Sequence, residues 1–234
     1  QKRMRLSTQI ALALTLGMST LPTVALAAPI TSSQTYDVAD VTVTDDMEIR
    51  GGTISVKGVD DDNSSQHANR TATLTGNVKI INPSGNVLAA LSHGDGTHDW
   101  AGILTLNPNK TSKVQLHGDI LVGRPDNPSE IGGYVNLYLK GEDSYFAGGI
   151  RDLDGKALHQ RGGVRLELSD GATWYPKGDA YTLFNPDPYS QDFGYKNGTW
   201  TEDQDNKPRG LHLSANGGII DMAFAAPNEA RITA

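Results

Sequence analysis

The chain has 234 residues, 26 of them glycine and none cysteine, with 20 Lys+Arg against 27 Asp+Glu and a formal charge of −7. Without cysteine there is no disulfide framework, so stability has to come from packing and backbone ladders. The acidic balance argues against nucleic acid and anionic lipid headgroups as partners, because both select positive patches.

The first 27 residues follow the grammar of a secretory leader. Lys2, Arg3 and Arg5 form a cationic head, Ile10 to Leu16 (IALALTL) form a short apolar core, and Pro22 precedes Ala25-Leu26-Ala27. The order of basic head, apolar core and small-x-small site predicts cleavage after Ala27, with Ala25 and Ala27 filling the two small peptidase pockets. A transmembrane anchor fits less well: the apolar run is too short to cross about 30 Å of hydrocarbon. Removing the leader takes three bases and no acids, leaving 17 Lys+Arg against 27 Asp+Glu, a formal −10 for residues 28–234.

After residue 30 the apolar residues alternate in short bursts bounded by Gly, Asn, Asp and Pro, the signature of half-buried strands. In chain order the bursts are Val41 to Val43, Ile54 to Val56, Ala72 to Leu74, Val78 to Ile80, Leu104 to Leu106, Val114 to Leu116, Val135 to Leu139, Val164 to Leu168, Leu211 to Leu213 and Ile220 to Met222. Turn chemistry falls between them: Asn-Pro at 82 and at 107, Ser-Asp-Gly at 169 and Ala-Asn-Gly-Gly at 215. Several bursts end in a leucine, a polar turn and a second strand, and the leucines Leu74, Leu116, Leu139, Leu168 and Leu213 lie 42, 23, 29 and 45 residues apart. Spacings in the twenties, with two near double, predict a solenoid whose coil supplies a strand, turns and another strand. Polar insertions at about 59–71, 91–101, 123–132 and 185–208 would then project from one face or edge. The competing fold is a β-sandwich with irregular loops.

The segment GGYVNLYLKGEDSYFAGGIRD from Gly132 to Asp152, with GGVRLELSDGATWYPK from Gly162 to Lys177, resembles passenger segments of bacterial autotransporters of the type V secretion class. Ala172-Thr173-Trp174 after Ser169-Asp170-Gly171 carries the likeness most clearly, and Leu211 to Met222 is similar to the same unit. The resemblance implies an all-β fold, a pertactin-like, pectin-lyase-like right-handed parallel β-helix with loop insertions. It also implies a secreted or surface-displayed role in adhesion, and export through the periplasm to the outer membrane. Such passengers are followed by a membrane β-barrel, so residues 28–234 are expected to be a passenger segment incomplete at its C-terminus. Membrane contact would come only through that translocator.

Candidate sites are few. His93, Asp95, His98 and Asp99 place two imidazoles and two carboxylates within seven residues, the ligand types zinc takes. Their setting in a Gly-rich loop fixes no common face and favours a solvated loop. The run Asp60 to Asp62 lacks the spacing of a calcium loop. Arg151, Asp152, Asp154 and Lys156 form a compact acid–base cluster, with Glu167 and Asp170 near the next matching turn. Paired carboxylates about 5–10 Å apart are what a glycosidase needs. Trp174, Tyr175, Tyr189, Phe193, Tyr195 and Trp200 cluster beside prolines and acids and offer an aromatic surface for a ligand.

The sequence therefore predicts a structural or adhesive passenger segment, not an enzyme, with no cofactor and no metal. Its partner would be a surface ligand, host-derived or carbohydrate. A carbohydrate-active β-helix enzyme and a small secreted binding module are the alternatives.

Overall fold

The structure, a computed structural model, describes residues 26–60, 67–94, 99–123, 133–151, 163–177, 195–196, 199–200, 208 and 210–224. The expected leader lies outside these residues, apart from Leu26 and Ala27. In chain order the strands are β1 (Gln34–Tyr36), β2 (Asp40–Val43), β3 (Met47–Arg50), β4 (Ile54–Lys57), β5 (Val59–Asp60), β6 (His67–Ala68), β7 (Arg70–Leu74), β8 (Val78–Gly94), β9 (Asp99–Leu106) and β10 (Val114–Gly123). They continue as β11 (Tyr134–Lys140), β12 (Tyr145–Gly148), β13 (Ile150–Arg151), β14 (Gly163–Ser169), β15 (Thr173–Pro176), β16 (Tyr195–Lys196), β17 (Thr199–Trp200), β18 (Gly210–Ser214) and β19 (Ile219–Ile220). A 3₁₀ turn at Met222–Phe224 follows, and no α-helix occurs among the described residues.

The strands stack in parallel on three faces, making a β-solenoid. Face one is β2, β7, β9, β11, β14 and β18, each paired in parallel with the next. Face two is β3, the first part of β8, the first part of β10, then β12, β15 and β19. Face three is β1, β4, the Leu88 to Leu91 part of β8, the Ile120 to Gly123 part of β10, and β13. Parallel pairing on every face excludes the sandwich, whose sheets are antiparallel.

The alternation read from the sequence is what lets the coil close. In β10 the burial alternates along Val114 to Val122, sending Val114, Leu116, Ile120 and Val122 inward and Gln115, His117, Asp119 and Leu121 outward. Stacking then lines up identical positions. Face one carries Val41, Ala72, Leu104, Val135, Val164 and Leu211 in one column. Face two carries Ile49, Ile80, Leu116, Phe146, Trp174 and Ile220. These columns meet in one hydrophobic core. Each fully buried large apolar side chain there contributes about 1.5–3 kcal/mol relative to exposure.

Side chains at the corner between faces one and two tie the coils together. Asp46 Oδ1 accepts from the Asn77 N–H at 2.9 Å, and Asn77 Oδ1 accepts from the Lys113 N–H at 2.8 Å. Ser144 Oγ accepts from the Val114 N–H at 3.2 Å. At the same corner Asn107, with φ +55°, closes a longer turn: its Oδ1 accepts from the Thr111 and Ser112 N–H groups, and its Nδ2 donates to the Ser112 and Tyr138 carbonyls.

Several expectations change in detail. A coil has three strands, not two, and registered partners lie 28–36 residues apart through the middle of the stack, for example Thr173 on Tyr145 and Val114 on Val78, with 20 between Gln34 and Ile54 at one end and 47 between Gly163 and Gly210 at the other. Leu116 belongs to face two, whereas Leu74, Leu139, Leu168 and Leu213 belong to face one, so the five leucines are not one column. Leu74 pairs with Leu106, and Leu213 pairs with Leu166, two positions from the expected Leu168. The Asn-Pro at 82 falls inside the long β8, where residues 82–85 carry the chain from face two to face three, and the Asn-Pro at 107 makes a turn between strands. The last strand is Ile219–Ile220, and Met222 already belongs to the 3₁₀ turn.

Candidate functional site

Two surfaces of the solenoid are set apart by the way the chain is threaded. The first is the corner between face three and face one. The chain leaves face three after Lys57 and regains face one at Arg70, leaves after Leu91 and regains it by Gly102, leaves after Gly123 and regains it at Tyr134, and leaves after Arg151 and regains it at Gly163. In the last coil it leaves face two at Pro176 and regains face one at Gly210. Four of these five excursions start at the end of face three, the fifth starts from face two after Pro176, and all five end on face one, so the expectation of a shared edge holds for every return and for four of the departures. Two of them begin as antiparallel ribbons, β5 with β6 and the end of β8 with the start of β9.

The second surface is the outer side of face two. Glu48, Lys79, Gln115, Tyr145, Thr173 and Ile219 are in register on successive rungs, one row of outward residues. Beside it runs a second row containing Arg50, Ile81, His117, Ala147 and Tyr175. Tyr145 and Tyr175 meet edge to face with ring centroids 6.4 Å apart. Burial, and next the neighbouring Tyr175, push the Tyr145 hydroxyl pKa up. Near the N-terminal end of the row lies a cavity of about 450 Å³, lined by Lys79, Lys113, Gln115, Asp46 and Glu48 on the solenoid and by Leu26, Ala27 and Pro29. Its two acids are engaged: Asp46 holds the Asn77 N–H, and Glu48 lies 3.6 Å from Arg50. Lys79 and Lys113 make no ion pair among the described residues.

The outer side of face one is covered in its middle coils. Ala101, Ile103 and Tyr134 point away from the core yet form a second small buried cluster, and Thr105 and Asn136 beside them are 8% and 1% exposed. Its edge carries ion pairs of structural type. Lys110 bonds Glu167 across the Tyr138 rung and stands 5.7 Å over that ring, and Lys140 lies 3.6 Å from Asp170. At the corner between faces two and three, Arg151 reaches two coils back, donating to Asn86 Oδ1 at 2.9 Å and lying 3.5 Å from Asp119.

The residues singled out in the sequence are placed as follows. Trp174 is fully buried in the face-two column, stacked on Phe146 at 6.2 Å and 2°, with its indole N–H donating to the Gly148 carbonyl at 3.1 Å. It belongs to the core and is not an exposed platform. Tyr175 points outward from the same strand, so the two belong to the solenoid and not to the insertion that follows. The backbones of Tyr195 and Trp200 pair in the short antiparallel ladder of β16 and β17. Tyr189 and Phe193 lie outside the described residues.

His93 pairs with Trp100, and Asp99 with Gly94, through the backbone of the β8–β9 ribbon. Asp95 and His98 lie outside the described residues. No group of three or more His, Asp or Glu capable of holding a metal occurs among the described residues. Of the acid–base cluster, Arg151 is described, and its partners are Asn86 and Asp119. Asp152, Asp154 and Lys156 lie outside. Glu167 and Asp170 are paired with lysines. Of the predicted cleavage residues, Ala25 is not described, and Ala27 is exposed in coil beside Leu26, which is 94% exposed.

Sequence reasoning missed the face-two rows because their members are scattered from residue 48 to residue 219. The signal was present in the middle positions of the bursts, Lys79 between Val78 and Ile80, and Gln115 between Val114 and Leu116. Only the register shows that these positions adjoin. No protein-family model, curated protein or solved structure matches the chain.

Proposed function

We propose that this chain is an exported, surface-displayed passenger segment of the autotransporter kind, with a structural and adhesive role. The observation that carries this reading is the threading: every long insertion returns to the rod at the edge of face one, and four of the five also leave it from face three. A stack held by backbone ladders and one apolar core keeps its shape whatever is inserted at that edge. Loops on a rigid scaffold are where binding residues concentrate. The leader-like first 27 residues support export. The lack of cysteine suits a chain that crosses membranes before folding. The ligand is expected to be a host or matrix surface, with carbohydrate the leading class, and nucleic acid is not expected.

The test is a short epitope placed within 185–208 in the native gene. Intact cells are expected to bind the antibody and to lose the epitope to external protease, and deletion of the gene is expected to lower attachment to a matrix-coated surface. An epitope reached only after cell lysis would contradict the reading.

A further inference from the structure

Tyr145 and Tyr175 stand on adjacent rungs on the outer side of face two, and their rings meet edge to face with centroids 6.4 Å apart and an interplanar angle of 69°. The backbone beneath them is fixed. β12 and β15 pair in register from Tyr145 on Thr173 to Gly148 on Pro176, and on the inner side of the same two strands Phe146 stacks on the fully buried Trp174 at 6.2 Å. We propose that this pair is an oxidative cross-linking site, at which hydrogen peroxide, acting through a one-electron haem peroxidase, joins the two phenol rings as a dityrosine and ties the coil of β12 covalently to the coil of β15.

Each phenol gives up one electron and its O–H proton to the peroxidase, leaving a phenoxyl radical whose unpaired spin extends to the ring carbons ortho to the oxygen. One ortho carbon from each ring forms the new C–C bond. Each of these carbons then loses its hydrogen as a proton, and each phenol oxygen recovers one. Peroxide takes up the two electrons and two protons, so two tyrosines and one hydrogen peroxide give one dityrosine and two waters. The geometry favours coupling within the chain. With rungs about 4.8 Å apart and a rise of about 3.3 Å per residue, the diagonal offset of Tyr145 and Tyr175 sets their Cα atoms about 8 Å apart, a gap that two tyrosine side chains span. The edge-to-face contact presents a ring C–H edge to the other ring, and the planes of a biaryl are themselves twisted, so joining the rings needs only a small shift. After burial, Tyr175 is the next cause of the raised Tyr145 pKa, which places the two hydroxyl-bearing ends near each other. Groups already in contact react without a bimolecular encounter. Both side chains are partly exposed and so open to the oxidant. The other tyrosines on the three faces stand apart from this pair, Tyr36 on face three and Tyr134 and Tyr138 on face one. With no cysteine in the chain, no thiol competes for the oxidant. The link closes a loop of about 30 residues beside the end of the rod where Leu211, Leu213 and Ile220 are only part-buried.

The experiment treats the purified full chain, dilute enough to stay monomeric, with hydrogen peroxide and a haem peroxidase, and maps the products by dityrosine fluorescence, intact mass and peptide mass spectrometry. The expected product is a monomer lighter by two hydrogen atoms, with a linked peptide pair that joins residues 145 and 175. Its melting temperature is expected to rise by about 5–15 °C, the effect of closing a loop of about 30 residues in a chain of this size. Tyr145→Phe and Tyr175→Phe keep the ring but cannot form a phenoxyl radical, so each should abolish that product. Tyr138→Phe should retain it, and the chain unfolded in denaturant should lose the selectivity. Unchanged far-ultraviolet circular dichroism establishes that each variant is folded; where one is not, the linked-peptide map of the unsubstituted chain decides. Absence of dityrosine from the folded monomer, links formed only between chains, or links at other tyrosines as frequent as the 145–175 link overturn the proposal. A product that persists in Tyr145→Phe does the same. Each of these failures leaves the display reading intact, because that reading is tested by the epitope on intact cells.

Discussion

Trp174 shows how one residue's role depends on the rung it occupies. Its sequence neighbourhood, Trp174-Tyr175-Pro176, reads as an aromatic patch, yet alternation sends the indole inward and the phenol outward. The indole fills the face-two column between Phe146 and Ile220 and satisfies its N–H on the Gly148 carbonyl. Trp174→Ala is expected to cost about 3–5 kcal/mol, the range for a large aromatic truncated in a core, read as a lower denaturant midpoint. Trp174→Phe should cost less, because the Lys177 N–H still donates to the same carbonyl. Tyr36 caps the other end of the core. Its hydroxyl is buried with no hydrogen-bond partner among the described residues, and burial, followed by Asp45, raises its pKa above 10.0. A raised pKa means that the folded state holds the phenolic proton more tightly than the unfolded chain does. That contribution is complete below the unfolded pKa and is lost as pH climbs through the folded pKa. Stability should therefore fall above pH 10, and Tyr36→Phe should flatten that alkaline fall while leaving neutral-pH stability equal or higher, since it removes an unsatisfied hydroxyl. An unchanged alkaline slope would remove Tyr36 from the explanation.

At the scale of elements, what the sequence made legible was the strand pattern, and what it hid was the register. The bursts at Val41, Ile54, Ala72, Val78, Leu104, Val114, Val135, Val164 and Leu211 all became strands, because period-two burial is written directly in the order of side chains. β3 and β1 were passed over because Met47-Glu-Ile-Arg50 and Gln34-Thr-Tyr36 are short and flanked by acids. The third face was hidden for a related reason: β8 and β10 each run through two faces as one strand, turning the corner at Asn82 to Gly85 and at Gly118, so one strand supplied two rungs. Misaligning Leu116 with Leu74 followed from taking the commonest local motif, a leucine before a polar turn, as the repeat. In fact that motif serves more than one corner. The insertions were legible as polar stretches between strands, and their common edge became visible once the ladders were in place. The outward rows of face two have no local signature, because neighbours there are a coil apart in sequence.

At the scale of the whole molecule, the rod is uneven along its length. Central coils bury their columns completely, whereas Leu211, Leu213 and Ile220 at the far end are only part-buried, and Ile219 and Met222 are 50% and 38% exposed. Strands β18 and β19 each have one ladder neighbour among the described residues, leaving open edges of the kind that pair with further strands. Between the ends, the stack separates two tasks: the core and the corner ladders hold the shape, and the edge of face one receives every long excursion as it returns. The central claim, that this edge makes the adhesive contact, is tested most directly by measuring attachment of beads coated with the full chain. The comparison is a chain in which the excursion between Lys177 and Gly210 is replaced by a short Gly/Ser linker. Retained circular dichroism with strongly reduced attachment to a matrix-coated surface is the expected result. Attachment equal to that of the intact chain, with the solenoid still folded, would contradict the claim.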